Sequence, residues 1–431
     1  MLIMNKNNNT STKLGGRFWA AMLVLGLMGQ IAWVVENMYF NVFIYKMFKA
    51  TASDISSMVM ASAVVAALTT IVMGALSDKF GKRKAFMSFG YIMWGISIIA
   101  FAYIKSVALT IVMDCVMTFF GSTANDAAYN AWLTDRGDST NRGKIEGINS
   151  MMPLISILIV FGGFMSFNLD DHSSWVTIYY IIGVGTVIIG VLGLFLIEEK
   201  QGLEKSKEPY FSTLIYSFRP SIIKENKALY LSLLAFAIFG TSIQVFMPYL
   251  IIYYEKTLGL ANYVLIMAPA IMIAAVVTAF FGKLYDKIGY EQSVVIVIIT
   301  LMAGYVMLFL SKLTAIVFVG SMFMMSGYLM GMSTFGAKIR DQIPQGRSGQ
   351  FQGSRIIGQV LIPGVIGPAI GSYVLRDAQY ITNSDGTVSF LPNEKIWSAA
   401  LGVLIVLALF LALTSHFSKL TRKCHRTSCP K

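Results

Sequence analysis

Charge is scarce in this chain. Only 13% of its 431 residues are charged, 56% are apolar, and mean hydropathy is +0.66. Soluble domains carry about 25% charged residues. A water-exposed globule is therefore excluded, and a polytopic membrane protein is expected. Cysteine is scarce too. Cys115, Cys424 and Cys429 make no disulfide framework, and with His416 and His425 they match no standard zinc spacing. Metal clusters, nucleophile–base sets and nucleotide loops are missing, which argues against an enzyme and for no catalytic residue, metal or cofactor. No cleavable signal is evident, because the polar start, Met1 to Gly16, precedes an apolar run too long for one. The net charge of +12 suits basic loops that hold a membrane orientation rather than a nucleic-acid surface.

What the chain has is long apolar runs. Spans are expected at Arg17–Ile44, Ile55–Leu76, Ala85–Ile104, Val107–Leu133, Ile145–Phe167 and Trp175–Ile197. After a charged stretch they resume at Leu229–Tyr254, Asn262–Leu284, Ser293–Leu310, Ala315–Ala337, Phe351–Leu375 and Ile396–Ser415. Each can cross about 30 Å of hydrocarbon. The expected organisation is a tail (1–16), a six-helix bundle (17–197), a linker (198–227), a second bundle (228–415) and a basic tail (416–431). Most of the 34 Lys and Arg fall on the side of the two tails, so both termini are placed in the cytoplasm of a cell membrane. The sequon at Asn8-Asn9-Thr10 lies in that tail and should stay unmodified.

The chain repeats itself. Gly74-Ala-Leu-Ser-Asp78-Lys-Phe-Gly81-Lys-Arg83-Lys returns 208 positions later as Gly282-Lys-Leu-Tyr-Asp286-Lys-Ile-Gly289. Gly81 and Gly289 permit tight turns, and Gly74 and Gly282 are expected to let another backbone come close. Asp78 and Asp286 oppose the dipoles of their own helices, and suit a cation or another helix's N-terminus. After span 4 come Asp135, Arg142 and Gly147, and after span 10 come Asp341, Arg347 and Gly353, at an offset of 206. The halves are thus parallel repeats about an axis along the membrane normal.

The first loop resembles the motif between helices two and three of the major facilitator superfamily, and the second its echo between helices eight and nine. The resemblance implies an all-α fold of twelve transmembrane helices in two pseudo-symmetric bundles, working as a transporter. Gly74, Asp78, Gly81, Arg83, Asp286, Asp135, Arg142, Asp341 and Arg347 then form the gating motif. The resemblance also implies that Asp78 latches against the start of span 11, near Gln350 and Phe351.

Polar residues within the hydrocarbon mark pathways. Span 1 holds Gln30, Trp33, Glu36, Asn37 and Asn41. Span 4 holds Asp114, Thr118, Ser122, Asn125, Asp126 and Asn130. Asp114, Thr118, Ser122 and Asn125 share one helix face. From the expected ends, Glu36 and Asp114 both lie about 12 Å below the outer surface, which makes them a candidate proton-coupling pair; each would instead reach the headgroups if the ends are misplaced. The 208 offset maps Glu36 onto Gln244, so the second half carries an amide where the first has an acid. Arg355 could pair with an acid, bind an anionic substrate or lie at the inner rim. Trp33, Asn37, Asn41, Asn125, Asp126, Asn130, Gln244, Tyr249 and Gln359 are the candidate substrate-binding residues. Aromatic rings among them suit a sugar, although such rings also serve as packing.

Within the superfamily, Asn125-Asp126-Ala-Ala-Tyr129-Asn-Ala-Trp132-Leu-Thr-Asp135 resembles the glycoside–pentoside–hexuronide:cation symporters and, more loosely, the sucrose–proton symporters. That resemblance implies sugar binding by Asp126. The sodium-coupled members carry acids on helix two, where this chain has Ala66, Thr69 and Thr70, so a proton is the expected coupling ion. The reading is a monomeric proton-coupled symporter of a small polar solute such as a sugar. A drug or metabolite exporter of the same fold and a non-transporting receptor are the alternatives.

Overall fold

A computed structural model describes residues 14–137, 141–199, 216–344, 351–383 and 386–427. Arg347 and Gln350 of the expected gating elements lie outside these residues, as do Cys429 and the Asn8–Thr10 sequon.

Among the described residues, eleven helices are long and apolar enough to cross a membrane. One of them, Val264–Leu310, has 47 residues, about 70 Å of helix, which is too long for one crossing. It breaks at Gly289, where φ is 75° and ψ is −180°. Its two arms, 264–288 and 290–310, are spans 8 and 9, and twelve crossings result. The other spans are Gly16–Phe48 (1), Ala52–Phe80 (2), Arg83–Tyr103 (3), Val107–Arg136 (4), Gly147–Phe164 (5), His172–Leu196 (6), Lys227–Thr257 (7), Thr314–Gln342 (10), Gly353–Leu375 (11) and the helix Lys395–Thr427 (12). The chain is a multi-pass membrane protein.

Local signals set the helix ends. Thr51 and Asp54 form a reciprocal capping box at the start of span 2. Gly81 ends it in the left-handed region (φ 63°), its N–H donating to the Ser77 carbonyl at 3.0 Å. The two repeated loops thus share positive-φ glycines at matched positions, Gly81 and Gly289.

Four spans contain locally widened turns, in which hydrogen bonds skip one residue more than in an α-helix. π-helical stretches occupy Val35–Phe40 of span 1, Ser122–Tyr129 of span 4, Tyr253–Thr257 of span 7 and Ile357–Leu361 of span 11. Such insertions are rare and favour functional positions. Three of them carry candidate site residues.

Small residues bring helices together. Gly304 lies against the Met324 backbone, joining spans 9 and 10, and Gly95 and Gly183 join spans 3 and 6. On span 11, Gly364 meets Ala63 of span 2, Gly367 meets Gln244, and Gly371 meets the Val245 carbonyl. The expectation for Gly74 and Gly282 is corrected here. A side chain at Gly74 would touch only the Ala127 methyl at 3.9 Å, and at Gly282 it would meet open space. No backbone closes on either glycine.

At the opposite end, remote from the repeated loops, the halves are tied together. Lys46 of span 1 bonds Glu255 of span 7 at 2.6 Å and Asp170 at 3.1 Å; Lys256 lies 3.2 Å from Glu255 and 3.8 Å from Asp170. The Tyr263 hydroxyl donates to that of Tyr39 at 3.0 Å, and the Tyr249 hydroxyl donates to the Ala52 carbonyl at 2.9 Å. A short hairpin, β1 (Tyr380–Thr382) and β2 (Val388–Phe390), caps this end, and the Phe390 carbonyl accepts from Tyr45 at 2.7 Å. Apart from this hairpin, the regular structure of the described residues is helical.

Candidate functional site

Span 1 presents Glu36 from its π segment. The side chain is buried (7% exposed); one carboxylate oxygen accepts from the Thr118 hydroxyl of span 4 at 2.8 Å, and the other has no partner. Asp114 of span 4 is buried at 2%, with Ser62 of span 2 facing it and Oδ1 left without a donor. Glu36 feels the charges of both Asp114 and Asp126. Two buried acids, each with an unsatisfied oxygen, form an exceptional arrangement, because buried polar atoms are nearly always paired.

The structure changes their depths. Span 1 continues to Phe48, so Glu36 lies about 18 Å from that end, whereas Asp114 lies about 10 Å from the start of span 4. Glu36 is therefore level with Thr118, one turn deeper than Asp114. The sequence placed the end of span 1 at Ile44, two residues before Lys46. Lys46 instead lies buried in the tie to Glu255.

The candidate binding residues divide into two groups. Asn37 and Asn130 are exposed, and Trp33, Asp126, Gln244 and Gln359 are half-buried. They lie on spans 1, 4, 7 and 11. The Asn37 amide donates to the Trp33 carbonyl at 2.8 Å, and that of Asn130 to the Asp126 carbonyl at 3.1 Å. Trp33 packs on Trp94 at 4.9 Å, and its indole N–H has no partner. This group leaves amide and carboxylate oxygens available to a polar solute.

Three candidates fall elsewhere. Asn41 is fully buried and bonds the Asn37 carbonyl at 2.9 Å. Tyr249 is fully buried in the tie to Ala52, so in this conformation it holds the far end shut. Asn125 is buried at 3% and donates to the Tyr91 hydroxyl at 2.9 Å. The stripe Asp114–Thr118–Ser122–Asn125 is thus buried along its length, as one face should be. The widened π turn hands the open face to Asp126, Asn130 and Thr134. Sequence reasoning missed Tyr91, the far-end ions Lys46, Glu255 and Asp170, and the pairing of Thr118 with Glu36. Buried ion pairs across halves leave no periodic trace that would reveal them.

In the repeated loop, Arg83 is the hub. Its side chain is 6% exposed, bonds Asp135 at 2.9 Å and also engages Asp78 and Ser77. The cation expected beside Asp78 is thus Arg83, from its own loop. The second copy has Glu291 at the position matching Arg83, and Asp286 and Asp341 are exposed. Arg142 opens the helix leading into span 5. Arg355 lies half-buried on the first turn of span 11 beside Gly353. Phe351, the proposed end of the Asp78 latch, is buried against Tyr216.

The family model of the Major Facilitator Superfamily matches residues 18–368. Among curated proteins, sugar efflux transporter B of Salmonella typhimurium is 22% identical over 177 residues, which cover 41% of this chain and 45% of that protein. The chain thus matches less than half the length of this relative. Among solved structures, the nucleoside transporter NupG has a TM-score of 0.71 at 12% identity, over 93% of this chain and 99% of that one. A bacterial homolog of the human lysosomal transporter Spinster, inward-facing and unoccupied, gives 0.64 at 15%, over 94% and 97%. The xylose transporter XylE from E. coli, in a partially occluded inward open conformation, gives 0.67 at 12%, over 91% and 98%. At these identities the likeness is one of fold.

Proposed function

The chain belongs to the major facilitator superfamily, so it is a transporter and not an enzyme, and on that premise we propose that it couples proton movement to transport of a small polar, sugar-like solute. The observation that carries the proposal is the pair Glu36 and Asp114, each buried with an oxygen lacking a donor. Two acids this close and this dry cannot both carry charge without large cost. Sharing one proton relieves that cost. The exposed or half-buried group Asn37, Asp126, Asn130, Gln244 and Gln359 lies nearby, so solute hydroxyls bound there would favour one protonation state and one conformation. Such differential binding is what coupling requires.

The excess of Lys and Arg around the repeated loops places that end, and both termini, in the cytoplasm. The far-end ties then close the outer side. A proton suits the site better than sodium, because span 2 offers Ala66, Thr69 and Thr70 where the sodium-coupled relatives carry acids. A monomer suffices for this cycle. The named efflux transporter among the relatives favours a second reading, export by proton antiport on the same site.

Purified protein in proteoliposomes tests both readings. Glu36→Gln with Asp114→Asn should abolish solute accumulation driven by a pH gradient while leaving solute exchange in place. The direction of the gradient that drives wild-type flux separates symport from antiport. Accumulation by the double variant with wild-type pH dependence would move the coupling site elsewhere, Asp126 first.

A further inference from the structure

Outside the central site, a crevice of about 430 Å³ opens on the surface of the second half. Its walls are Val277 and Leu284 of span 8 and Ile296 and Thr300 of span 9; Ser326 and Met330 of span 10 form its floor. The rim residues Val277, Leu284 and Phe280 are 38%, 39% and 67% exposed, so the crevice faces the bilayer. The Thr300 hydroxyl is turned onto its own helix, donating to the Ile296 carbonyl at 2.8 Å. Apolar walls of this kind do not hold water. The wall from Val277 to Leu284 rises about 10 Å along the helix axis, which gives a slot parallel to the lipid chains.

The slot has a counterpart that is filled. Gly121 lies under Trp94 in the first half, as Gly327 lies under Leu301 in the second. These contacts align spans 3 and 4 with spans 9 and 10 at offsets of 207 and 206. Phe89 then corresponds to Ile296, and Phe120 to Ser326. The Phe89 and Phe120 rings pack edge-to-face, 6.5 Å apart. Where the first half has two rings, the second has an aliphatic side chain and a serine, and the space stands open.

A charged rim adjoins it. Lys283 stands with its ammonium 5.9 Å above the Phe280 ring, and Lys287 follows one turn on; both are exposed. Asp286 is the acid nearest in sequence and is itself exposed. Among the described residues, neither lysine forms an ion pair with a carboxylate. An apolar slot along the chain direction, with two unpaired ammonium groups at its mouth, matches one ligand class.

We propose that this crevice is a binding site for a single anionic phospholipid, one acyl chain lying against Ser326 and the phosphate on Lys283 and Lys287. The full-length protein is purified from nanodiscs holding phosphatidylglycerol and phosphatidylcholine, and its retained lipids are counted by native mass spectrometry. Wild type should retain a phosphatidylglycerol that is lost in Ser326→Phe, which restores the ring of the first half, and in Lys283→Ala/Lys287→Ala. Ser326→Leu replaces the aromatic variant if that one fails to fold, and the lysine pair is solvent-exposed and tests the headgroup independently. Equal phosphatidylglycerol retention in all variants would reveal ordinary boundary lipid and overturn the proposal. Phosphatidylcholine retained as firmly as phosphatidylglycerol would overturn it too, leaving an apolar slot without headgroup recognition.

Discussion

The two copies of the repeated loop share the position of their turn and differ in charge. Gly81 and Gly289 both sit at positive φ, 63° and 75°. Around the first, buried Arg83 gathers Asp78, Asp135 and Ser77. Around the second, Glu291 replaces the arginine, and Asp286 and Asp341 face solvent. The interiors differ in the same sense. The first half buries Glu36 and Asp114, and the second presents Gln244 and an aromatic cluster of Phe246, Tyr305 and Trp397. Pseudo-symmetry in this protein is a property of turns and packing. Chemistry enters where the symmetry is broken.

The sharpest way to break this comparison is at the hub. Arg83→Ala leaves Asp78 and Asp135 without their shared cation. Because Arg83 is nearly buried while Asp78 is 43% exposed, the expected cost is about 2–3 kcal/mol. Glu291→Ala should stay within about 0.5 kcal/mol. Thermal unfolding of both variants in detergent decides the matter, and equal shifts would mean that the first loop's network contributes nothing special.

The turns themselves predict smaller and unequal effects. Gly81→Ala forces a Cβ into the left-handed region (φ 63°, ψ 27°), at about 1 kcal/mol, and Gly289→Ala forces one into φ 75°, ψ −180°, a region kept for glycine, at about 2 kcal/mol. Nothing crowds a Cβ at Gly289, so there the cost is backbone strain alone. Thermal unfolding of the two variants checks this, and a larger loss at Gly81 than at Gly289 would overturn the ordering.

The smallest effect concerns the far end, where the halves meet. Burial by itself would raise the pKa of Asp170, but Lys46, Lys256 and Lys49 outweigh it and hold the group below its usual value. A depressed carboxylate contributes stability above its unfolded pKa of about 3.9 and loses it as pH falls through the folded value. Asp170 is 61% exposed, so Asp170→Asn should cost less than about 1 kcal/mol at neutral pH. The difference from wild type should shrink as unfolding is measured towards pH about 3; a difference that widens on acidification would remove Asp170 from the tie.

Much of this was legible in one dimension. Hydropathy located the spans, since a helix must cross the apolar layer with its backbone satisfied. The only merger, spans 8 and 9, comes from a helix that bends at Gly289 without a loop, and the repeat had already placed a turn there. The acids Glu36 and Asp114 stood out because charge within hydrocarbon is rare. Their relative depth was misjudged by about one turn, because span 1 ends at Phe48 rather than Ile44.

By itself, then, the sequence determined the membrane class, the twelve crossings, the repeat of the halves and the pair of buried acids. Each follows from composition or spacing along one helix. The tertiary structure alone decided which polar residues share a space. Widened π turns in spans 1, 4, 7 and 11 shift the rotation of the residues beyond them, so the 3.6-residue period no longer predicts a face. That rotation exposes Asn130 and accompanies the burial of Asn41. Partners from distant segments decided the rest: Tyr249 met Ala52, Lys46 met Glu255, and Ser326 met an empty slot where Phe120 has Phe89. No local rule contains those meetings, because they depend on how whole helices pack.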